Sequence, residues 1–337
     1  MTYGNEKLGA LLSDPRIAPV AADAIRGRDL TKEPVWEKTP ARIRDEHIFT
    51  GEIARGFERL YRAADTGAWY YPLYSGAECV ENPAREGVSV VWFPSEDPAA
   101  DGRPFILLVP GGGFVNVWNL TEGWPVAAQF NRHGYHVFIL TYQVGDQERL
   151  LEKDMIDFSR ALRLIGENAE RFHVNPEKYI TCGFSAGGYL VCLWNTKKGY
   201  PAFDLPKPQA VFPVYPFVSP ALGLSDDLPE TDTEEDLKED FRLYGCTAWD
   251  AVKTDYEIPE HAEGFPPCAL FLAAGDDLVS PEHSKLLAAA LERLGIPCRL
   301  EIGPEGGHGF ADGSGMCMAG WTERAVRWYE SLLPSGR

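Results

Sequence analysis

Residues 182–188 read Cys-Gly-Phe-Ser-Ala-Gly-Gly and directly follow the apolar run 179–181. They place one serine, Ser185, between glycines where a predicted strand ends and a helical pattern begins. The pentapeptide G-x-S-x-G is compatible with an ordinary tight turn, because glycine tolerates backbone conformations that other residues avoid. It is equally compatible with a sharp turn that holds a serine hydroxyl clear of its own backbone, as a nucleophile requires. The rest of the sequence distinguishes these two interpretations.

Apolar strands and amphipathic helices alternate on both sides of this junction. The predicted strands are 88–93, 105–109, 135–142, 179–182, 209–215, 268–273 and 298–302, and the predicted helices are 124–132, 155–172, 188–196, 281–294 and 321–333. Continuous apolar strands alternating with helices are typical of α/β proteins, in which a mostly parallel sheet has helices on both faces. Sites in such sheets form at the carboxyl ends of the strands. The most unusual residues of this chain fall there.

The remaining segments differ from this pattern. Residues 1–80 are polar and broken by prolines, with short helices predicted at 21–30 and 52–64, and we interpret them as a helical or irregular N-terminal extension. Residues 81–337 form the predicted main domain. Within it, residues 218–265 interrupt the alternation with a strongly acidic run. That segment is predicted to be a cap inserted over the site, with a solvated acidic loop or helix as the alternative.

Composition limits the partners that we expect. The chain has 337 residues and a formal net charge of −18. Such an acidic surface repels phosphate backbones and anionic lipids, so neither nucleic acid nor a membrane is an expected partner. Seven cysteines without a CxxC pair predict reduced thiols. No signal peptide and no apolar run near the ~20 residues that span a bilayer are recognisable, so a cytoplasmic location is expected. The sequence leaves the oligomeric state open, a homo-oligomer included.

A serine nucleophile needs a base to take its proton and a group to orient that base. The base candidate is His308, which follows the last predicted strand in the glycine-rich run 305–310; a solvated loop histidine is the alternative. The acid candidate lies in the run 273–281, where Asp276 and Asp277 compete. Asp276 is preferred because it begins an Asp-x-x-Val pattern before a predicted helix. Asp277 then caps that helix or orients the loop, and a turn-and-cap role for both aspartates is the alternative.

Three consecutive glycines follow the predicted strand 105–109, in the run Pro-Gly-Gly-Gly-Phe at 110–114. Glycine leaves backbone N–H groups accessible, with no side chain in the way. The N–H groups of Gly112 and Gly113, with that of Ala186 after the serine, are predicted to converge on one oxygen and to stabilise its negative charge. A phosphate-binding loop is the alternative, but neither Gly-Lys-Ser/Thr nor G-x-G-x-x-G is present here.

Together these runs resemble those of the α/β-hydrolases. They are PGGGF at 110–114, GFSAGG at 183–188, GDDLVSPEHS at 275–284 and GGHGF at 306–310. The resemblance is closest to the branch of hormone-sensitive-lipase-like esterases and acetyl-xylan-esterase-like or feruloyl-esterase-like proteins, and it covers residues 85–335. It implies a serine esterase that uses no metal and no organic cofactor. It assigns Ser185, Asp276 and His308 to the triad, and Gly112, Gly113 and Ala186 to the oxyanion hole.

One departure from the hormone-sensitive-lipase pattern bears on the substrate. The residue before the glycines is histidine in that pattern and Pro110 here, which favours the acetyl-esterase-like branch. The predicted substrate is therefore a small ester with a short acyl chain, and specifically an acetylated carbohydrate. Aromatic faces suit sugar rings. The predicted substrate contacts are Trp118, Trp124 and Tyr142, with residues 69–71 reaching the site from the N-terminal segment; core packing is the alternative for each.

Two other functions share these motifs. A peptidase of the prolyl-oligopeptidase type has the same serine turn and the same order of triad residues. Such peptidases usually carry a separate propeller, which the 80 residues outside the resemblance are too few to form. A hydrolase fold that only binds a ligand usually lacks the serine or the histidine, and here Ser185 and His308 are both present.

Overall fold

The computed structural model describes residues 3–43, 52–223, 242–246 and 249–334. The acidic run at 225–240 lies outside these residues, so the cap interpretation of 218–265 stays a prediction. Within the described ranges, no helix combines the length and apolarity needed to cross a membrane. The same ranges contain no group of three or more His, Cys, Asp or Glu side chains that could hold a metal ion.

The described residues form one sheet of eight strands. The strands are β1 (Tyr70–Pro72), β2 (Ser89–Phe93), β3 (Phe105–Val109), β4 (Val137–Thr141), β5 (Tyr179–Phe184), β6 (Ala210–Val214), β7 (Cys268–Ala273) and β8 (Cys298–Gly303). Their order across the sheet is β1-β2-β4-β3-β5-β6-β7-β8. The β1–β2 and β2–β4 pairs are antiparallel, and all later pairs are parallel. The predicted strands are thus present, in a mostly parallel sheet.

Helices lie before, between and after these strands. The α-helices are α1 (Leu8–Leu12), α2 (Ala18–Ala21), α3 (Pro40–Ile43), α4 (Ile53–Asp65), α5 (Gly76–Glu81), α6 (Trp124–Arg132), α7 (Leu150–Glu167), α8 (Ala169–Phe172), α9 (Ser185–Trp194), α10 (Trp249–Tyr256), α11 (Glu282–Arg293) and α12 (Trp321–Leu332). Short 3₁₀ turns occupy Tyr3–Asn5, Pro15–Ile17, Leu30–Lys32, Pro34–Glu37, Pro83–Arg85, Pro98–Gly102, Tyr200–Phe203 and Ile258–His261, and a π-helical turn spans Asn119–Gly123.

The core lies on both faces of the sheet, because successive residues of a strand point to opposite sides. All five residues of β3 are buried. Leu107 packs with apolar side chains of α7, α9 and α11 on one face. Ile106 and Leu108 pack with those of α4, α6 and α12 on the other. This two-sided burial explains why the strands read as continuous apolar runs, and it confirms the predicted α/β class.

The N-terminal segment covers one of these faces. Leu8 of α1 and Phe57 of α4 are fully buried in the same apolar cluster as Trp124 of α6. A Cβ added to Gly56 of α4 would stand 3.0 Å from the backbone nitrogen of Pro125 in α6, so the two helices are in close contact. In addition, β1 belongs to the sheet. The predicted N-terminal extension, residues 1–80, therefore contributes one strand to the sheet.

Two predictions for this segment were wrong. The predicted helix 21–30 is replaced by turns after α2, because Arg26 forms an isolated β-bridge with Val117. Residues 69–71 do not reach the site, because β1 lies at the edge of the sheet, four positions from β5. At about 4.8 Å per strand, that separation approaches 20 Å.

Candidate active site

Ser185 is the first residue of α9 and directly follows β5. Its φ is +49°, in the left-handed region that a residue with a side chain seldom adopts. No linking residue separates strand and helix, so the chain reverses direction at the serine itself. Strain of this kind at a strand-to-helix turn is typical of a nucleophile elbow.

The glycines around Ser185 are explained by close backbone contacts. A Cβ at Gly183 would stand 2.3 Å from the carbonyl oxygen of Gly187. A Cβ at Gly187 would stand 2.2 Å from the carbonyl oxygen of Val109, at the end of β3. Both distances are far below van der Waals contact. The glycines therefore let the first turn of α9 lie directly against the ends of β3 and β5.

Alanine at Gly187 is expected to lower Tm by roughly 10 °C or more, or to prevent folding, because the backbone of β3 would have to move. Gly76→Ala is the matched control, since a Cβ at Gly76 would have no atom of the described residues within 4 Å. Its Tm should stay within about 2 °C of wild type. Thermal unfolding followed by circular dichroism compares the two. A Gly187→Ala variant as stable as wild type would contradict this packing.

His308 lies between Ser185 and Asp276. Its Nε2 is 2.9 Å from Ser185 Oγ, and its Nδ1 is 2.8 Å from Asp276 Oδ2. With the proton on Nδ1, the histidine donates to the carboxylate and accepts from the serine hydroxyl. The Asp276 side chain is 1% exposed and that of His308 14%. The structure thus places the three predicted side chains in one hydrogen-bonded chain.

The structure distinguishes the two adjacent aspartates. The second carboxylate oxygen of Asp276 accepts hydrogen bonds from the N–H groups of Leu278, at 3.1 Å, and Val279, at 2.9 Å. These bonds fix the carboxylate toward His308. Asp277 is exposed. The hydroxyl of Ser280, and not Asp277, accepts the N–H of Glu282 at the start of α11.

We call residues 110–117, which follow β3 and carry two of the predicted oxyanion donors, the oxyanion loop. Gly112 and Gly113 have φ values of +138° and +61°, which favour glycine. The N–H of Gly111 is used by Glu122, whereas those of Gly112 and Gly113 donate to no group in the described part of the chain. Ala186 lies in the first turn of α9, where N–H groups have no partner within the helix. These three donors are available to a ligand.

Contacts from three directions hold the oxyanion loop. Trp118 donates its N–H to the carbonyl oxygen of Gly111, at 3.1 Å. Arg26 and Val117 exchange two backbone hydrogen bonds of 2.9 and 3.2 Å. The hydroxyl of Tyr142 donates to the carbonyl oxygen of Pro110, at 2.9 Å. The N-terminal segment therefore supports this loop directly, a role that its sequence did not indicate.

The predicted aromatic substrate contacts fall into two groups. Trp118 is half-buried beside the oxyanion loop, where a Cβ on Gly112 would lie 2.9 Å from its ring. Trp124 and Tyr142 are 1% and 0% exposed. The prediction that these two contact substrate was therefore wrong, because both are core residues with almost no accessible surface. Trp118 alone of the three stays a candidate.

Two site residues were not recognised from the sequence. The carboxylate of Glu122, 6% exposed, accepts the N–H of Gly111 at 2.6 Å and the hydroxyl of Tyr215 at 2.8 Å. The Tyr215 ring lies 4.7 Å from the ring of His308. Burial raises the pKa of Glu122 above its usual range, while both hydrogen bonds oppose the rise. The available signal was that Glu122 is the only charged residue in the run 119–125, which reads Asn-Leu-Thr-Glu-Gly-Trp-Pro.

His283 of α11 anchors the segment after β6. It is fully buried, and its Nδ1 accepts the N–H groups of Val218 and Ser219, at 3.3 and 3.2 Å. Its Nε2–H donates to the carbonyl oxygen of Gly223, at 2.7 Å. Burial lowers the pKa of His283 to about 4. The segment that leads toward the acidic run is thus held by a neutral histidine.

We expect the free energy of unfolding to decrease as pH falls, because the pKa of His283 is lower in the folded chain than in the unfolded chain. The unfolded chain takes up a proton at His283 near pH 6.5 and the folded chain only near pH 4. The histidine therefore favours unfolding increasingly as pH falls through that interval, by about 3 kcal/mol in all. His283→Gln should lose Tm at pH 7.5 and show a shallower decline of Tm below pH 6.5. The exposed His173→Asn is the control; equal slopes in wild type and His283→Gln would contradict the expectation.

The order of strands, with the serine after β5, the carboxylate after β7 and the histidine after β8, defines an α/β-hydrolase fold. The crystal structure of an acetyl ester-xyloside bifunctional hydrolase from Caldicellulosiruptor lactoaceticus is similar, with a TM-score of 0.62 and 25% identity, over 78% of this chain and 96% of that one. Residues 91–211 match the BD-FAE family model. The match includes Ser185 and ends before Asp276 and His308.

Two curated proteins are also similar in sequence. Acetylxylan esterase of Xylanibacter ruminicola is 28% identical over 229 residues, 67% of this chain and 44% of that protein. Endo-1,4-beta-xylanase B of Butyrivibrio fibrisolvens is 27% identical over 230 residues, 65% of this chain and 34% of that protein. The chain thus spans less than half the length of either. These findings confirm the predicted resemblance to the esterase branch of the α/β-hydrolases.

Proposed function

We propose that this chain is a serine carboxylesterase for short acyl esters, and specifically an acetyl esterase that acts on acetylated carbohydrate. The observation that carries the proposal is the continuous hydrogen-bonded chain from Ser185 through His308 to Asp276. An α/β-hydrolase that only binds a ligand has no need of this arrangement. The names of the acetylxylan esterase and of the acetyl ester-xyloside hydrolase support the substrate class.

The reaction begins when Ser185 Oγ attacks the carbonyl carbon of the ester and His308 Nε2 takes the hydroxyl proton. Asp276 holds the imidazole in the required tautomer and stabilises its positive charge. Collapse of the tetrahedral intermediate breaks the bond to the alcohol, which leaves with the proton from His308. A water molecule, deprotonated by His308, then attacks the acyl-enzyme. The carboxylic acid leaves, and Ser185 regains its proton.

We assign the stabilisation of the negative charge in each tetrahedral intermediate to the N–H groups of Gly112, Gly113 and Ala186. Their lack of other partners among the described residues supports this role, because no hydrogen bond has to break before they bind the oxyanion. The amino end of α9 adds a favourable field at the same place. Each such donor typically contributes about 10²- to 10³-fold to kcat.

Trp118 supports the carbohydrate substrate, since it is the predicted aromatic that retains exposed surface beside the oxyanion loop. Acetate release from acetylated xylo-oligosaccharides, compared with turnover of p-nitrophenyl butyrate, tests the proposal. We expect kcat/KM to favour the acetylated oligosaccharide, and Trp118→Ala to lower it for that substrate more than for p-nitrophenyl acetate. A strong preference for the plain butyrate would reject the carbohydrate substrate and keep the esterase. No hydrolysis of any ester would leave a binding protein.

A further inference from the structure

We propose that Glu122 is a positioning residue for this reaction, which holds the oxyanion loop directly and the catalytic base through Tyr215. The proposal rests on the serine esterase function proposed above. Glu122 has hydrogen bonds with Gly111 and Tyr215 and none with Ser185, so its effect passes through these two partners. The π-helical turn at Asn119–Gly123 directs its carboxylate inward, and π-turns of this kind are frequent at functional sites.

The first partner is the oxyanion loop. Glu122 Oε2 accepts the N–H of Gly111 at 2.6 Å, a short distance for a charge-assisted hydrogen bond. Gly111 is also close to the nucleophile, because a Cβ there would lie 2.8 Å from Ser185 Cβ and 2.6 Å from the carbonyl oxygen of Phe184. Fixing Gly111 therefore fixes the spacing between the oxyanion donors that follow it and the serine.

The second partner is Tyr215, which directly follows β6. Its hydroxyl donates to Glu122 Oε1 at 2.8 Å and accepts the N–H of Ala311 at 3.2 Å. Ala311 lies three residues after His308 in the same loop, and its φ of +47° shows that the loop is held in a strained conformation. The Tyr215 ring also packs against the imidazole, at 4.7 Å between ring centres. Glu122 thus orients the tyrosine that supports the base.

Burying a charged carboxylate such as that of Glu122 is unfavourable unless hydrogen bonds stabilise its charge. It is buried, and burial raises its pKa. The described groups that act on its charge are the N–H of Gly111, the hydroxyl of Tyr215 and the imidazole of His308, all of which favour the ionised form. None of them is a lysine or arginine. The ionised carboxylate is therefore stabilised by the same two hydrogen bonds that link it to the oxyanion loop and to Tyr215.

Glu122→Gln, Tyr215→Phe and the double variant test the proposal with p-nitrophenyl acetate. Glutamine keeps the size of the side chain and removes the charge, while phenylalanine keeps the ring on His308 and removes the hydroxyl. We expect kcat to fall about 10- to 100-fold in each single variant, with KM within about threefold of wild type. Because the two residues share the hydrogen bond between them, the two losses overlap, and the double variant should be no more than about threefold slower than Glu122→Gln.

The chain offers matched controls for loss of a buried hydrogen bond. Asp157 of α7 is fully buried and accepts a tyrosine hydroxyl, from Tyr74, and a backbone N–H, from Gln143. Tyr61 is buried and donates to the carbonyl oxygen of Leu11. Asp157→Asn and Tyr61→Phe should lower Tm about as much as Glu122→Gln and Tyr215→Phe do, but should keep kcat within about twofold of wild type.

The outcomes separate this proposal from the proposed function. If wild type hydrolyses the ester and Glu122→Gln keeps its kcat, the positioning role is overturned and the esterase function stands. If the controls lose as much kcat as the two site variants, or if the site effects multiply in the double variant, the contacts are merely structural and the role is again overturned. If wild type hydrolyses no ester, the proposed function fails, and the positioning role fails with it.

Discussion

Replacing Ser185 with alanine is expected to lower ester turnover by about 10⁴- to 10⁶-fold, because the variant has no oxygen to form the acyl-enzyme. Tm should change by no more than about 2 °C. The hydroxyl is bonded to His308 alone among the described residues, and alanine meets the same left-handed backbone strain as serine. The measurement is kcat/KM with p-nitrophenyl acetate, together with thermal unfolding of both proteins.

A second variant, His308→Gln, tests the same mechanism at the catalytic base. His308→Gln should lose turnover to a similar extent, because the serine would lack its base. A Ser185→Ala variant that keeps wild-type turnover would show that another group is the nucleophile. If Ser185→Ala loses turnover and also unfolds, Ser185→Cys should be measured instead, because it retains an attacking atom in the same position.

Asp276→Asn is expected to lower kcat by roughly 10⁴-fold without unfolding the protein. Its remaining oxygen can still accept the N–H groups of Leu278 and Val279, which the loop needs. Its amide, however, presents N–H donors to His308 Nδ1, now 2.8 Å from Asp276 Oδ2. The imidazole would then carry its proton on Nε2 and could not accept the proton of Ser185.

Asp277→Asn is the matched control, since it makes the same chemical change one residue along the chain on an exposed side chain. We expect its kcat to stay within about twofold of wild type. Parallel kinetics of the two variants decide between the adjacent aspartates. Loss of activity in Asp277→Asn, with Asp276→Asn unaffected, would show that the triad acid is Asp277 and would contradict our assignment of Asp276.

The sequence predicted most of the sheet because the strands are buried on both faces. Such strands are recognisable without knowledge of their neighbours, as in β3, which is apolar throughout, and β5, which is mostly apolar and buried at every position. Ser185, His308 and the glycines of the oxyanion loop were recognisable for a related reason. Local backbone geometry restricts the residue types at these positions, so the constraint is present in short runs of sequence.

Contacts between distant segments were not predictable in this way. The bridge between Arg26 and Val117 joins two irregular segments that share no periodicity. Trp124 was taken for a site aromatic because it follows the oxyanion loop, yet it points into the core against Phe57 of the N-terminal segment. The pair of Glu122 and Tyr215, which are 93 residues apart, is visible only once β6 has been placed beside β5.

The central claim is that Ser185 is a nucleophile activated by His308. Its most direct test is to treat the purified protein with a fluorophosphonate and to locate the adduct by peptide mass spectrometry. Our account predicts one adduct, on Ser185 in the peptide 179–197, together with its loss in Ser185→Ala and much slower labelling in His308→Gln. No adduct on wild type, or an adduct on another residue, would contradict the account.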